Sequence, residues 1–180
     1  HHMPNLTLVG VLLGEQGLSI PDFRAQERSF QILTQVFGRA GREKEGKVVI
    51  HTSLSDAPPI KFAIDDNYDD FYNYEISSRQ EAGFPPFVRI LLIKIASKIE
   101  QKAKETAEEI FKKIGFYSSK SVICYPPQPA YIYREKGRFH YQIYVKAKNH
   151  KTLEELVKKL QSGRPKQVGL SVSFDIDPYN

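Results

Sequence analysis

The chain has 180 residues, enough to bury a sizeable core, and its 41% apolar and 26% charged residues are ordinary for a globular protein. It holds no apolar run near the roughly 20 residues that span a bilayer, and its one cysteine, Cys124, excludes a disulfide framework and fits a reducing cytoplasm. The net charge of +5 divides unevenly: residues 1–78 carry 7 Lys and Arg against 11 Asp and Glu, net −4, while residues 79–180 carry 19 against 10, net +9, which argues for two functional units, the second facing an anionic partner.

His1-His2-Met3 reads as the remnant of an expression tag and is set apart from fold reasoning. Leu6 to Leu13 is a continuous apolar run, expected of a strand buried on both faces of a parallel sheet. Gly14 to Pro21 is a loop, and Asp22 is placed to cap the helix that follows. Phe30, Leu33, Val36 and Phe37 fall at helical spacing as its buried stripe. Lys47 to Thr52 reads as a second strand, completing one βαβ unit that is small enough to need docking to a neighbour.

Pro58-Pro59 is expected to break the chain. Asp65 to Asp70 then opens another helix, its carboxylates at the positive end of the dipole, with Phe71, Tyr74 and Ile76 as an imperfect apolar side and Gly83 as its end. The acidic run could also hold a cation, but capping and a solvated face explain it more simply. Phe84-Pro85-Pro86-Phe87 makes a rigid passage into the second unit.

Val88 to Ala96 is strand-like. Ile99 to Ile114 is a helix, with Ala103, Ala107, Ile110, Phe111 and Ile114 on one side. Ser121 to Tyr125 is a short strand ended by Pro126-Pro127. Phe139 to Ala147 alternates, Tyr141, Ile143 and Val145 facing one way and Gln142, Tyr144 and Lys146 the other. Thr152 to Leu160 is a helix, and Val168 to Ile176 a last alternating strand with Val168, Leu170, Val172, Phe174 and Ile176 on one face. The order βαββαβ is the split-βαβ, ferredoxin-like arrangement, so the whole chain is α/β (α+β).

Two constellations carry chemistry. In Gln35-Val36-Phe37-Gly38-Arg39-Ala40-Gly41-Arg42, two arginines three residues apart lie within one turn of a helix end and can aim at one phosphate. The planar guanidinium matches phosphate oxygens bidentately. The bland alternative is a basic helix end, with Gly41 stopping the helix and Arg42 solvated at its negative pole.

The second is Tyr131 to Tyr141, where cations and aromatics interleave. Arg134, Lys136 and Arg138 suit phosphates, while Tyr133 and Tyr141 offer stacking faces to unpaired bases. Gly137 suggests a projecting hairpin. The alternative is an ordinary charged hairpin whose tyrosines pack on the sheet edge. No base-reading motif is present, so binding here would read shape and phosphate. His51, His140 and His150 show no metal-ligand spacing, no metal site is expected, and Cys124 reads as buried rather than reactive.

Ser19-Ile20-Pro21-Asp22-Phe23-Arg24-Ala25-Gln26-Glu27-Arg28, continuing through Phe30 to Val36 into the arginine run, closely resembles the last conserved helicase motif of the PriA (primosomal protein N′) family of replication-restart DNA helicases. Gly83-Phe84-Pro85-Pro86-Phe87 looks like that family's Gly-aromatic-Pro-Pro-aromatic junction. Arg134 to Ile143 resembles the basic-aromatic stretch of its C-terminal domain, and Asp175-Ile176-Asp177-Pro178 its usual close. The resemblance covers nearly all of residues 6–180.

The resemblance implies a C-terminal fragment: residues 4–78 as the end of helicase lobe 2, a partial RecA-like lobe with a connecting helix, and residues 79–180 as a ferredoxin-like DNA-binding domain. The full-length family members are implied to be ATP-driven 3′-to-5′ DNA helicases of the superfamily-2 type that recognise stalled forks and assemble the primosome. Their implied partners are single-stranded and forked DNA, single-stranded DNA-binding protein, primosome proteins and the replicative helicase. Their implied place is the cytoplasm, at the nucleoid, with no membrane contact.

ATP with Mg²⁺, and Zn²⁺ in a cysteine-rich insertion, are implied for the full-length protein alone. This chain has no Gly-x-x-x-x-Gly-Lys-Ser/Thr loop, and one cysteine cannot build a four-ligand site, so the fragment is expected to be inactive by itself. By motif position Arg42 is implied to be the arginine finger, Arg39 its companion at the phosphate, and Gln35 the link between nucleotide state and the lobe interface.

The chain departs from the family pattern in two places. Leu13 and Glu15 stand where acidic residues two apart are usual, and Phe37 where a small residue is common. A stand-alone nucleic-acid-binding module and an RNA-remodelling motor are the competing functional readings. The first has no need of Gln35, Arg39 and Arg42 together, and the second is disfavoured by residues 79–180.

Overall fold

The computed structural model describes residues 7–40, 46–117, 121–162 and 168–178. The chain divides into two units, His1–Ala82 and Gly83–Asn180. The division lies four residues beyond the 78/79 boundary read from charge, because the helix Tyr68–Ala82 runs on and Arg79 is ion-paired to Glu27 of the first unit. Moving the boundary removes one cation and one carboxylate, so residues 83–180 hold 18 Lys and Arg against 9 Asp and Glu, still net +9. The expected tag remnant, residues 1–3, lies outside the described residues.

In the first unit, strands β1 (Leu8–Leu12) and β2 (Lys47–His51) pair in parallel, with helix α1 (Ala25–Ala40) between them in sequence. Asp22 holds the start of α1: its Oδ1 accepts from Arg24 N at 2.9 Å, and its Oδ2 lies 3.1 Å from Arg28 Nη1. Phe30 and Leu33 are buried from α1, against Ile60 and Ala63 of α2 (Pro58–Ile64) and Phe71 of α3 (Tyr68–Ala82). The rings of Phe30 and Phe71 stack with centroids 4.1 Å apart.

Three expectations for this unit are corrected. β1 is not buried on both faces: Val11 packs against the core, but Leu8 is 61% and Leu12 80% exposed, because α1 covers one side of a two-stranded sheet. Pro58-Pro59 opens a helix instead of breaking the chain, since the first helical positions need no N–H donor. Tyr74 points outward, and its expected buried place is taken by Glu75, whose carboxylate lies 2.8 Å from Arg79 Nη2. Asn67 begins α3, its Oδ1 accepting from Asp70 N at 3.2 Å, so the acidic run is capped as expected.

The second unit is one mixed-order antiparallel sheet with two helices on one face. Its elements are β3 (Arg89–Ser97), α4 (Glu100–Tyr117), β4 (Val122–Cys124), β5 (Gln128–Glu135), β6 (Arg138–Ala147), α5 (His150–Gln161) and β7 (Leu170–Ile176). The order β4-β6-β3-β7 is the ferredoxin-like one, with β5 added beside β6. The second strand of the expected βαββαβ is thus two pieces, β4 along the end of β6 and β5 along its beginning.

The core joins Leu91, Ile93 and Ile95 of β3 to Tyr141, Ile143 and Val145 of β6, under Ile110 and Ile114 of α4 and Leu153, Leu156 and Leu160 of α5. Each fully buried aliphatic side chain contributes about 1.5–3 kcal/mol. Asn149 caps α5, its Oδ1 accepting from Thr152 N at 2.9 Å. Val168, expected on the core face of β7, is instead 98% exposed ahead of the strand.

Candidate nucleic-acid interface and arginine helix

α1 buries Phe30 and Leu33 and leaves its opposite side to solvent, and both Gln35 and Arg39 are exposed there. Four residues apart, they lie on one helical face. Phe37, unusual for the motif, is half-buried against the aromatic core of the unit, so its bulk is directed away from Arg39 into packing. Arg42, the implied arginine finger, and Gly41 fall outside the described residues.

The loop after β1 is held by Glu15. Its Oε2 accepts from Thr52 Oγ1 at 2.6 Å, and its Oε1 from Ser53 Oγ at 2.7 Å and Ser53 N at 3.2 Å. The Thr52 and Ser53 hydroxyls lower the carboxyl pKa from 4.5 to about 2. Leu13, beside it, takes a left-handed backbone at φ 55° and is exposed. The two positions that depart from the family pattern thus differ in role: Glu15 staples the ends of β1 and β2 together, and Leu13 turns the chain.

The β5–β6 hairpin turns through Lys136 at φ 49° and Gly137 at φ 72°, between the paired Glu135 and Arg138. Positive φ at both central residues makes the tight two-residue turn that follows the twist of the strands. Lys136 is exposed at the tip, and Arg134 is exposed with its guanidinium 5.1 Å from the Phe139 ring centroid.

The other three named residues turn inward. Arg138 Nη2 donates to Ala96 O at 2.8 Å, with Ser171 Oγ at 3.1 Å and Gly169 O at 3.5 Å. Tyr141 is only 7% exposed in the core, so the expectation that its ring stacks on a base is corrected: the face lies against neighbouring side chains. Tyr133 is half-buried, edge-on to Phe139 and Tyr141 at 5.6 and 6.0 Å between centroids. Its hydroxyl bonds to Glu100 and to Tyr141, which raises its pKa well above the ordinary tyrosine value.

The exposed aromatic of this stretch is Tyr131, 72% exposed on β5. Nothing in the local pattern singles it out, because a register shift between Pro129 and Arg134 breaks the alternation there. At the far end of β6 from the hairpin, the Lys146 ammonium is buried 3.9 Å from the Phe84 centroid and 5.4 Å from that of Tyr125. This anchors the Gly83–Phe87 turn to the sheet. Burial pushes the Cys124 thiol up to about 11, which leaves it protonated near neutrality.

No helix among the described residues is long and apolar enough to cross a membrane. No group of three or more His, Cys, Asp or Glu among them could hold a metal ion.

A family model described as the primosomal protein N C-terminal domain matches residues 80–179. Proteins named replication restart protein PriA are similar over almost the whole chain. The one from Bacillus subtilis is 36% identical over 98% of this chain and 22% of its own length. That from Chlamydia muridarum is 33% identical over 98% and 24%, and that from Haemophilus influenzae 31% over 100% and 25%. The chain therefore spans about a quarter of the length of these relatives. A de novo designed protein, Foldit4, is 17% identical with a TM-score of 0.36 over 52% of the chain, too low to establish a shared fold.

Proposed function

We infer function from the family: this chain belongs to the primosomal protein N family, whose C-terminal domain it carries at residues 80–179. Its role is in replication restart, the process named in its relatives. The finer reading is that residues 1–82 end the second lobe of an ATP-driven 3′-to-5′ DNA helicase, and residues 83–180 bind single-stranded and forked DNA. The single observation that supports the motor half is α1 itself. It runs between two parallel strands, buries Phe30 and Leu33, and presents Gln35 and Arg39 together on its exposed face at the start of the arginine run.

Within such a motor, Arg39 and Arg42 would face the γ-phosphate of ATP bound by the rest of the protein. Arginine there stabilises charge on the transferring group, with effects of about a thousandfold or more on rate. Gln35 would report nucleotide state to the lobe interface. Mg²⁺ would accompany ATP outside this chain. Zinc does not fit the residues present: Cys124 is one half-buried, protonated thiol, and no ligand cluster accompanies it among the described residues.

In the DNA-binding half, Arg134 and Lys136 are the hairpin residues open to phosphate. The whole protein would act in the cytoplasm at the nucleoid, with single-stranded DNA-binding protein, primosome proteins and the replicative helicase as partners. The experiment is fork unwinding by the full-length protein with ATP and Mg²⁺, beside ATP turnover by residues 1–180 alone. Unwinding with 3′-to-5′ polarity and an inert fragment are expected. A full-length protein that does not unwind, or a fragment that hydrolyses ATP, contradicts the reading.

A further inference from the structure

The charge of the second unit is gathered at one end of its sheet. Register fixes which turns meet there: Ser97, the last residue of β3, pairs with Phe139 at the start of β6 and with Leu170 at the start of β7. The β3–α4 turn, the β5–β6 hairpin and the approach to β7 therefore share one end. Arg138 ties the three together through Ala96 O and Gly169 O. Lys102, in the first turn of α4, reaches the same place, its Nζ 3.5 Å from Val168 O. The last turn of α5 carries Lys158 and Lys159 and leads the chain toward β7 there.

This end holds the exposed cations Lys98, Arg134, Lys136, Lys158 and Lys159 and the half-buried Lys102. The carboxylates near them include Glu135, 4.0 Å from Lys136, Glu100, which accepts from the Tyr133 hydroxyl, and Glu105 and Glu155, one helical turn from Lys102 and Lys159. The opposite end is closer to balance. Arg89, which pairs in register with Ala147, is ion-paired to Asp177 at 2.9 Å, and Lys112, Lys113, Lys148 and Lys151 are interspersed with Glu108, Glu109 and Glu154.

We infer that the DNA phosphate backbone crosses this end of the domain, held by Lys98, Lys102, Lys158 and Lys159 as well as by Arg134 and Lys136. The inference rests on the reading of residues 83–180 as a DNA-binding unit and supplies its site. Six cations spread over the β3–α4 turn, the start of α4, the hairpin and the end of α5 suit an extended row of phosphates better than one compact anion. The tyrosines nearest the tip add no stacking, because Tyr133 and Tyr141 are turned into the core. The contacts made by these six cations are therefore electrostatic and indifferent to base sequence.

The test uses the 180-residue chain and two variants of equal charge change. One is Lys98→Ala/Lys102→Ala/Lys158→Ala/Lys159→Ala, and the other Lys112→Ala/Lys113→Ala/Lys148→Ala/Lys151→Ala, both checked for unchanged thermal unfolding. Forked DNA is titrated over a salt series, with a poly-glutamate peptide in parallel. The first variant should lose about tenfold or more in affinity, and the slope of log affinity against log salt should fall by nearly one per lost phosphate contact.

The second variant should bind forked DNA within about twofold of the parent. Equal losses in both variants, or a greater loss in the second, overturn the assigned site while leaving DNA binding intact. Poly-glutamate bound as tightly as DNA at equal charge would make this end an acidic-peptide site instead. A parent chain that binds no forked DNA even at low salt removes both the site and the reading beneath it.

Discussion

Arg138 crosses β3 to donate from Nη2 to the carbonyl oxygen of Ala96 at 2.8 Å, and the same nitrogen lies 3.1 Å from Ser171 Oγ on β7. One cation of the basic hairpin is thus a brace between three strands. Arg138→Ala should lower the stability of the chain by about 1–3 kcal/mol, because the part-buried Ala96 carbonyl loses a charged donor. Lys136→Ala, at the exposed tip, should stay within about 0.5 kcal/mol of the parent. Denaturant unfolding of both variants checks this. An unchanged midpoint for Arg138→Ala would return the residue to the DNA-facing set.

The two tyrosines of the same stretch should separate cleanly. Tyr141→Ala opens a hole among Ile143, Val145 and their neighbours and should cost about 2–4 kcal/mol of stability. Tyr131→Ala removes an exposed ring and should leave stability unchanged, while weakening single-stranded DNA binding by about 1–3 kcal/mol without altering its salt slope. Affinity unchanged in Tyr131→Ala would show that stacking contributes nothing at this surface.

Glu15 gives the first unit an acid-sensitive staple. Its carboxyl titrates near 2 when folded, against an ordinary 4.5, because Thr52 and Ser53 donate to the charged form. A depressed folded pKa means the stabilisation is fully present above about pH 4.5 and is lost as pH falls toward 2. Denaturant midpoints recorded between those limits should fall in the parent, and Glu15→Gln should flatten that limb while lowering stability at pH 7. A carboxyl carbon of Glu15 that titrates near 4.5 by NMR would remove the staple.

Much of the second unit was legible because its periodicities are clean. Tyr141, Ile143 and Val145 alternate on β6 as the sequence indicates, and that alternation was itself the signal that Tyr141 is buried and unavailable to bases. β5 was not legible: the shift between Pro129 and Arg134 exposes Tyr131 and Ile132 in succession, which hides a strand's period of two. The burial of Glu75 depends on Arg79, which also bonds Glu27, 52 positions away in sequence, a relation that no local window contains. In the same way the basic end of the sheet exists only once register brings three turns together.

The arginine run at the end of α1 carries the motor reading most directly. Arg42→Ala and Arg39→Ala should each be placed in the full-length protein, and ATP turnover measured with and without forked DNA, alongside nucleotide binding. Arg42→Ala is expected to cut DNA-stimulated turnover by roughly a hundredfold or more while nucleotide still binds, with a smaller loss for Arg39→Ala. Turnover of Arg42→Ala within a few-fold of the parent would contradict the assignment of this helix to a phosphate-stabilising role in a motor.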